Sequence, residues 1–188
     1  MISLPSLSDI TGLQVTLALF VWLVIESIIL VAVNHNYVLG KYDDDEGNIV
    51  PRSSEYASRA LTFSSLTFAG LTFVLAQTDG EGLGALSDTV FLFTVGFTFF
   101  VLSYKMDVYA AVRRMYFSTQ QRLFNFGLLS LVSGLVMYFS QVSDQLLIPV
   151  AIGAVLIYIL HVVEYVGDVK DYANGELEDD NQSSLSDF

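Results

Sequence analysis

Five stretches of the chain, at about 13–33, 59–77, 88–106, 122–141 and 146–166, are predominantly apolar, and polar connections separate them. A bilayer core takes roughly 20 apolar residues of α-helix. The pattern therefore predicts an all-α integral membrane protein built as a five-transmembrane-helix bundle. The punctuation fits these spans. Ser87 and Asp88 can cap the third, the connection at 141–145 is short enough for a tight hairpin, and Gly167 with Asp168 can end the fifth. Residues 1–12 read as an external N-terminal segment, 13–167 as the membrane domain and 168–188 as an acidic, disordered cytoplasmic tail.

The basic residues orient this arrangement. Lys41, Arg52 and Arg59 belong to the first connection, Lys105, Arg113, Arg114 and Arg122 to the third, and Lys170 to the tail, so all 8 Lys and Arg fall on one side. Cytoplasmic loops retain such residues, which places the N-terminus outside and the C-terminus in the cytoplasm of a multi-pass cell-membrane protein. One helix more or fewer would scatter the charges over both faces. The stretch at 107–121, with Val108, Val112 and Met115, fits a continued third helix, an interfacial helix or a basic topogenic loop. The first apolar run is preceded by no Lys or Arg and followed by no small-residue cleavage site, so it is expected to be retained.

Small residues mark the helix faces. Ser58, Thr62, Ser65, Ala69, Thr72 and Ala76 recur at heptad spacing in the second span, which lets a neighbouring backbone approach. This predicts a central packing helix, with a hydroxyl-lined pore as the alternative. Gly127, Ser130 and Gly134 make a similar seam in the fourth span, and Ala151, Ala154, Tyr158, His161 and Tyr165 share one face of the fifth.

Composition narrows the function classes. Hydrophobic residues make up 53% and the formal net charge of -12 sits in the connections and the tail, with 20 Asp and Glu against 8 Lys and Arg. Phosphate contacts need the opposite sign, so no nucleic-acid partner is expected. Acidic, lysine-poor exposed segments are halophile-like, because carboxylates hold water where salt screens their repulsion. The sequence has no cysteine, which excludes disulfides and thiolate chemistry.

Candidate chemistry is sparse. Glu26 is the carboxylate deep in an apolar span, where a charge costs about 2.5 to 3.5 kcal/mol. At the helical rise per residue, His161 reaches a similar depth. Thr62, Ser65, Tyr104 and Asn125 fall in the same half, so the six residues are expected to form a polar cluster toward the cytoplasm. It can serve as a proton, cation or small-ligand site, or lock the bundle through a neutral hydrogen-bonded Glu. Thr94-Val95-Gly96-Phe97 resembles part of a potassium-channel selectivity filter, but Thr98 replaces the second glycine and no pore helix precedes it. The acidic run at 43–47 does not align as an EF-hand loop, and His35 with His161 gives little basis for haem. No metal or cofactor is expected. GxSxG, HExxH and Walker patterns are absent from the sequence, so no enzymatic activity is expected. Two classes remain: a small oligomeric channel or transport subunit moving an ion or small solute, and a non-catalytic accessory or assembly subunit of a larger membrane complex. The expected partners are the bilayer and either further copies of the chain or a larger complex.

Overall fold

The computed structural model describes residues 11–33, 49–77, 83–110 and 114–174. His35, the acidic run at 43–47, the segment at 1–10 and the tail from 175 onward lie outside the described residues. Among the described residues the secondary structure is five helices with no strand: α1 (Gly12–Val33), α2 (Ile49–Gln77), α3 (Leu83–Ala110), α4 (Arg114–Val142) and α5 (Asp144–Asn174). Each is long and apolar enough to cross a membrane. Large apolar side chains such as Phe20, Ile28, Leu66, Ile148 and Leu160 are exposed around the bundle, a surface suited to lipid contact rather than water.

The helices overrun the apolar windows. α2 begins at Ile49 rather than near 59, α3 and α4 take up most of 107–121, and α5 passes Gly167 to reach Asn174. Bilayer thickness sets a minimum length and not an end point. Once nucleated, a helix gains a hydrogen bond with each residue added, and one Gly costs it only about 1 kcal/mol.

The start of α1 is closed by a capping box. The Gln14 amide donates to Thr11 Oγ1 at 3.3 Å, and the Thr11 amide donates to Gln14 Oε1 at 3.0 Å. A third donor, the Gly12 amide, finds Asp88 Oδ1 of α3 at 2.8 Å. Asp88 therefore serves the first turn of α1 rather than starting its own helix, and it anchors α1 to α3 at this end.

α4 is the central helix, with 44% of its membrane window buried against 22% for α2 and 11% for α5. This corrects the expectation that the second span is central. Its most extensive contact is with α3, where two glycines of α4 admit two rings of α3. A Cβ at Gly127 would stand 2.7 Å from the Phe100 ring, and one at Gly134 would stand 2.6 Å from the Phe93 ring. Phe100 also meets Phe63 of α2 at 5.6 Å and Phe124 of α4 at 5.6 Å between centroids, which ties three helices into one aromatic core. At the far end from Thr11, the buried Ser53 hydroxyl of α2 donates to Asp107 of α3. Gln120 of α4 donates to the Ser53 carbonyl at 3.2 Å, and Ser103 of α3 donates to the Gln120 carbonyl at 2.8 Å. The start of α2, the end of α3 and the start of α4 are thus bonded together, so successive helices run antiparallel.

The heptad face of α2 points the other way. Ser58, Thr62, Ser65, Ala69, Thr72 and Ala76 are all exposed, while Ser53, Ala57, Ala60, Ser64, Thr67 and Val74 are buried. The outward hydroxyls bond one turn back on their own helix: Thr62 to Ser58 O, Ser65 to Leu61 O and Thr72 to Phe68 O, at 2.9 to 3.0 Å. A hydroxyl satisfied by its own backbone neither seeks a neighbouring helix nor resists facing lipid.

Gly127→Val and Gly134→Val are expected to destabilise the bundle by about 1–3 kcal/mol each through overpacking against buried rings. Gly153→Val, at a site with nothing within 4 Å, should not; unfolding of the purified protein in mixed micelles reads the difference. Thr11→Ala should cost about 1 kcal/mol by the same measurement, as loss of a helix cap does elsewhere.

A buried carboxylate, imidazole and guanidinium

α1, α4 and α5 converge on Glu26. Its side chain is 2% exposed, and the structure brings it together with His161 of α5 and Arg122 of α4, each 6% exposed. Trp22 stands one turn before Glu26 on α1, so its Nε1–H donates back to Glu26 Oε1 at 2.6 Å. The same oxygen lies 3.0 Å from His161 Nε2. On the other side of the carboxylate, Arg122 Nη1 lies 3.8 Å from Oε2, near enough to neutralise the charge but beyond hydrogen-bond range.

Aromatic rings enclose the group. His161 meets Phe126 edge-on at 5.4 Å and Trp22 at 5.6 Å between centroids. The Arg122 guanidinium lies 5.5 Å from the centre of the Tyr165 ring, and its Nε–H donates to Ser118 Oγ at 3.3 Å. Apolar walls keep the local dielectric low, which strengthens the ion pair and raises the cost of separating its members.

The hydrogen bonding is incomplete. Glu26 Oε2, Arg122 Nη1 and His161 Nδ1 are buried without a hydrogen-bond partner among the described residues. With Glu26 ionised, His161 Nε2–H donates to Oε1 and Nδ1 carries a lone pair; with Glu26 protonated at Oε1, the carboxyl donates to Nε2 instead. The second form holds one proton more than the first, carried on Nδ1. Moving the bridging proton from Oε1 along the 3.0 Å line to Nε2 then turns it into an imidazolium–carboxylate pair.

The other residues expected in this cluster lie elsewhere. Thr62 and Ser65 face outward on α2, and Tyr104 is exposed on α3. Asn125, half-buried on α4, donates to Glu164 Oε2 of α5 at 3.1 Å, and Gln121 donates to Glu164 Oε1 at 2.9 Å. These three form a separate polar patch one turn from His161. Gly127, Ser130 and Gly134 lie buried at the α3–α4 contact, where a Cβ at Gly96 would stand 3.1 Å from the Gly127 carbonyl. Gly96 thus sits inside continuous α3, and Thr94 bonds back to Val90 O at 2.8 Å, so the filter-like fragment is plain helix.

Sequence reasoning missed Arg122 and Trp22 in the Glu26 cluster and Glu164 in the patch with Asn125. Arg122 lies at the edge of an apolar window and reads as a loop charge. Its place within α4 is signalled only by the helical spacing from Ser118 to Phe126, which runs on through it. Among the described residues no three of His, Asp and Glu are close enough together to hold a metal ion. No protein-family model, curated protein or solved structure matches the chain.

Glu26→Gln and Arg122→Met are each expected to cost about 3–5 kcal/mol, because each leaves a buried charge without its partner. The double variant should be less destabilised than the sum of the two by about 0.5–3 kcal/mol. Equal and additive losses in detergent unfolding would show that the 3.8 Å pair carries no coupling.

Proposed function

We propose that this multi-pass membrane protein is a small transport subunit, without enzymatic activity, in which Glu26 and His161 bind and release a proton while Arg122 holds the local charge balance. The observation that carries this reading is the incomplete bonding of the cluster. A purely structural lock would satisfy its buried polar atoms, since each one left unpaired costs about 1–3 kcal/mol. Here an acceptor, a donor and an imidazole nitrogen are left over at one place, within 2 to 6% exposed side chains on three helices. Ionisable groups within membrane spans elsewhere mark ion and proton paths.

The chain is oriented in this proposal with the N-terminus outside and the tail in the cytoplasm of the cell membrane, as the one-sided basic residues suggest. Arg122 drops out of that count because it neutralises Glu26 instead of a lipid surface. The remaining basic residues still fall on one side. In this proposal functional assemblies contain further copies or a larger partner, because among the described residues Phe63, Phe100, Phe124 and Phe126 fill the interior of the bundle. The accessory reading is favoured by a different observation: the cluster is closed on all sides by Trp22, Phe126, Tyr165 and the three helices.

The two readings separate in liposomes. With the purified chain reconstituted around a trapped pH dye and a potassium diffusion potential imposed, the wild type is expected to acidify the lumen. Glu26→Gln and His161→Asn, if still folded, should abolish that flux. A wild type that carries no protons, or a Glu26→Gln variant that carries them normally, would leave the accessory role standing.

A further inference from the structure

A groove of about 580 Å3 runs along α5 between that helix and α4, reaching Val15 of α1. Met137, Ala154, Tyr158 and Val162 are among the side chains that line it. Its lining includes Val155, Ile159 and Val163, each more than half exposed, so the groove opens on the same flank as Ile152, Leu156 and Leu160. It is continuous with the surface that meets lipid.

Its polar content is closed on itself. The Ser133 hydroxyl donates to Leu129 O at 2.7 Å, which leaves Ser133 Oγ to accept from Tyr158 OH at 2.8 Å. Both hydroxyl hydrogens are spent, so these residues offer no donor to a carbonyl, phosphate or quinone oxygen. The remaining lining is hydrocarbon and thioether. A volume of this size lies within the range of pockets that hold small ligands, and the chemistry of the walls selects for a hydrocarbon occupant.

We propose that the groove seats one hydrocarbon chain of a bilayer lipid, which packs on Tyr158 and completes the wall outside the Glu26 cluster. Tyr158 connects the two places. Its ring lines the groove on one side and meets Trp22 at 6.1 Å on the other, and Trp22 in turn donates to Glu26.

Trp22 is the single tryptophan of the chain, which makes it a reporter. In nanodiscs of phospholipid brominated along the acyl chain, Trp22 fluorescence is expected to be quenched. Ala151→Phe, which fills the groove from its lining, should remove most of that quenching, whereas Gly153→Phe, in open space on the same helix, should leave it at the wild-type level. Quenching unchanged by Ala151→Phe, or absent from the wild type, would overturn the proposal. A second measurement does not depend on the filled variant folding. The chain has no cysteine, so Val155→Cys supplies a unique thiol at the groove. It should stay monomeric under oxidation in nanodiscs holding two copies. Efficient disulfide-linked dimers would show that a second copy covers the groove and would likewise overturn the proposal.

Discussion

A carboxylate and a guanidinium cannot stay apart in hydrocarbon. Glu26 lies in the apolar span of α1 and Arg122 in that of α4, where each offsets the other's charge at 3.8 Å and Trp22 and His161 bond the carboxylate. That requirement fixes the rotation of α1 about its own axis, which turns Leu19, Glu26 and Leu30 inward and leaves the opposite face to lipid. His161 and Tyr165 bring α5 to the same place. Three helices are thus arranged around two charges, and α4 is common to both this cluster and the glycine-and-ring seam with α3.

The two halves of the bundle are held by different physics. On the α2–α3–α4 side, close approach comes from glycine meeting phenyl rings and from a chain of hydrogen bonds through Ser53, Ser103 and Gln120. Lipid is as apolar as the core, so packing and hydrogen bonding replace the hydrophobic drive that would operate in water. On the α1–α4–α5 side, the charged cluster adds to apolar packing around Leu19, Leu30, Phe126 and Leu129, and α5 is the least enclosed helix. A groove opens where that looser packing leaves α4 and α5 apart.

The arrangement of α2 shows how such a bundle manages polar residues that face lipid. Thr62, Ser65 and Thr72 return their hydroxyls to their own helix, so a stripe that reads as an interhelical seam is compatible with hydrocarbon. It is also compatible with a further protein surface, since small side chains allow close approach without requiring it. Thr94 and Thr98 of α3 and Ser27 of α1 return their hydroxyls to their own helices in the same way.

The sequence by itself determined the helix number, the approximate spans and the prominence of Glu26, because a run of about 20 apolar residues and a lone charge within it are visible without any neighbour. The pairing of Glu26 with His161 could be anticipated from depth alone. Only the tertiary structure decided that Arg122 belongs to that site, that Asn125 turns instead to Glu164, and that the heptad face of α2 points outward. Periodicity shows which residues share a face of a helix. In water the apolar face is the one that turns inward, but between lipid and protein both faces are apolar and that signal vanishes. What then sets each helix's rotation is the fit of particular partners, Phe93 and Phe100 on the glycines of α4 and Arg122 on Glu26, and these lie on helices far apart in sequence.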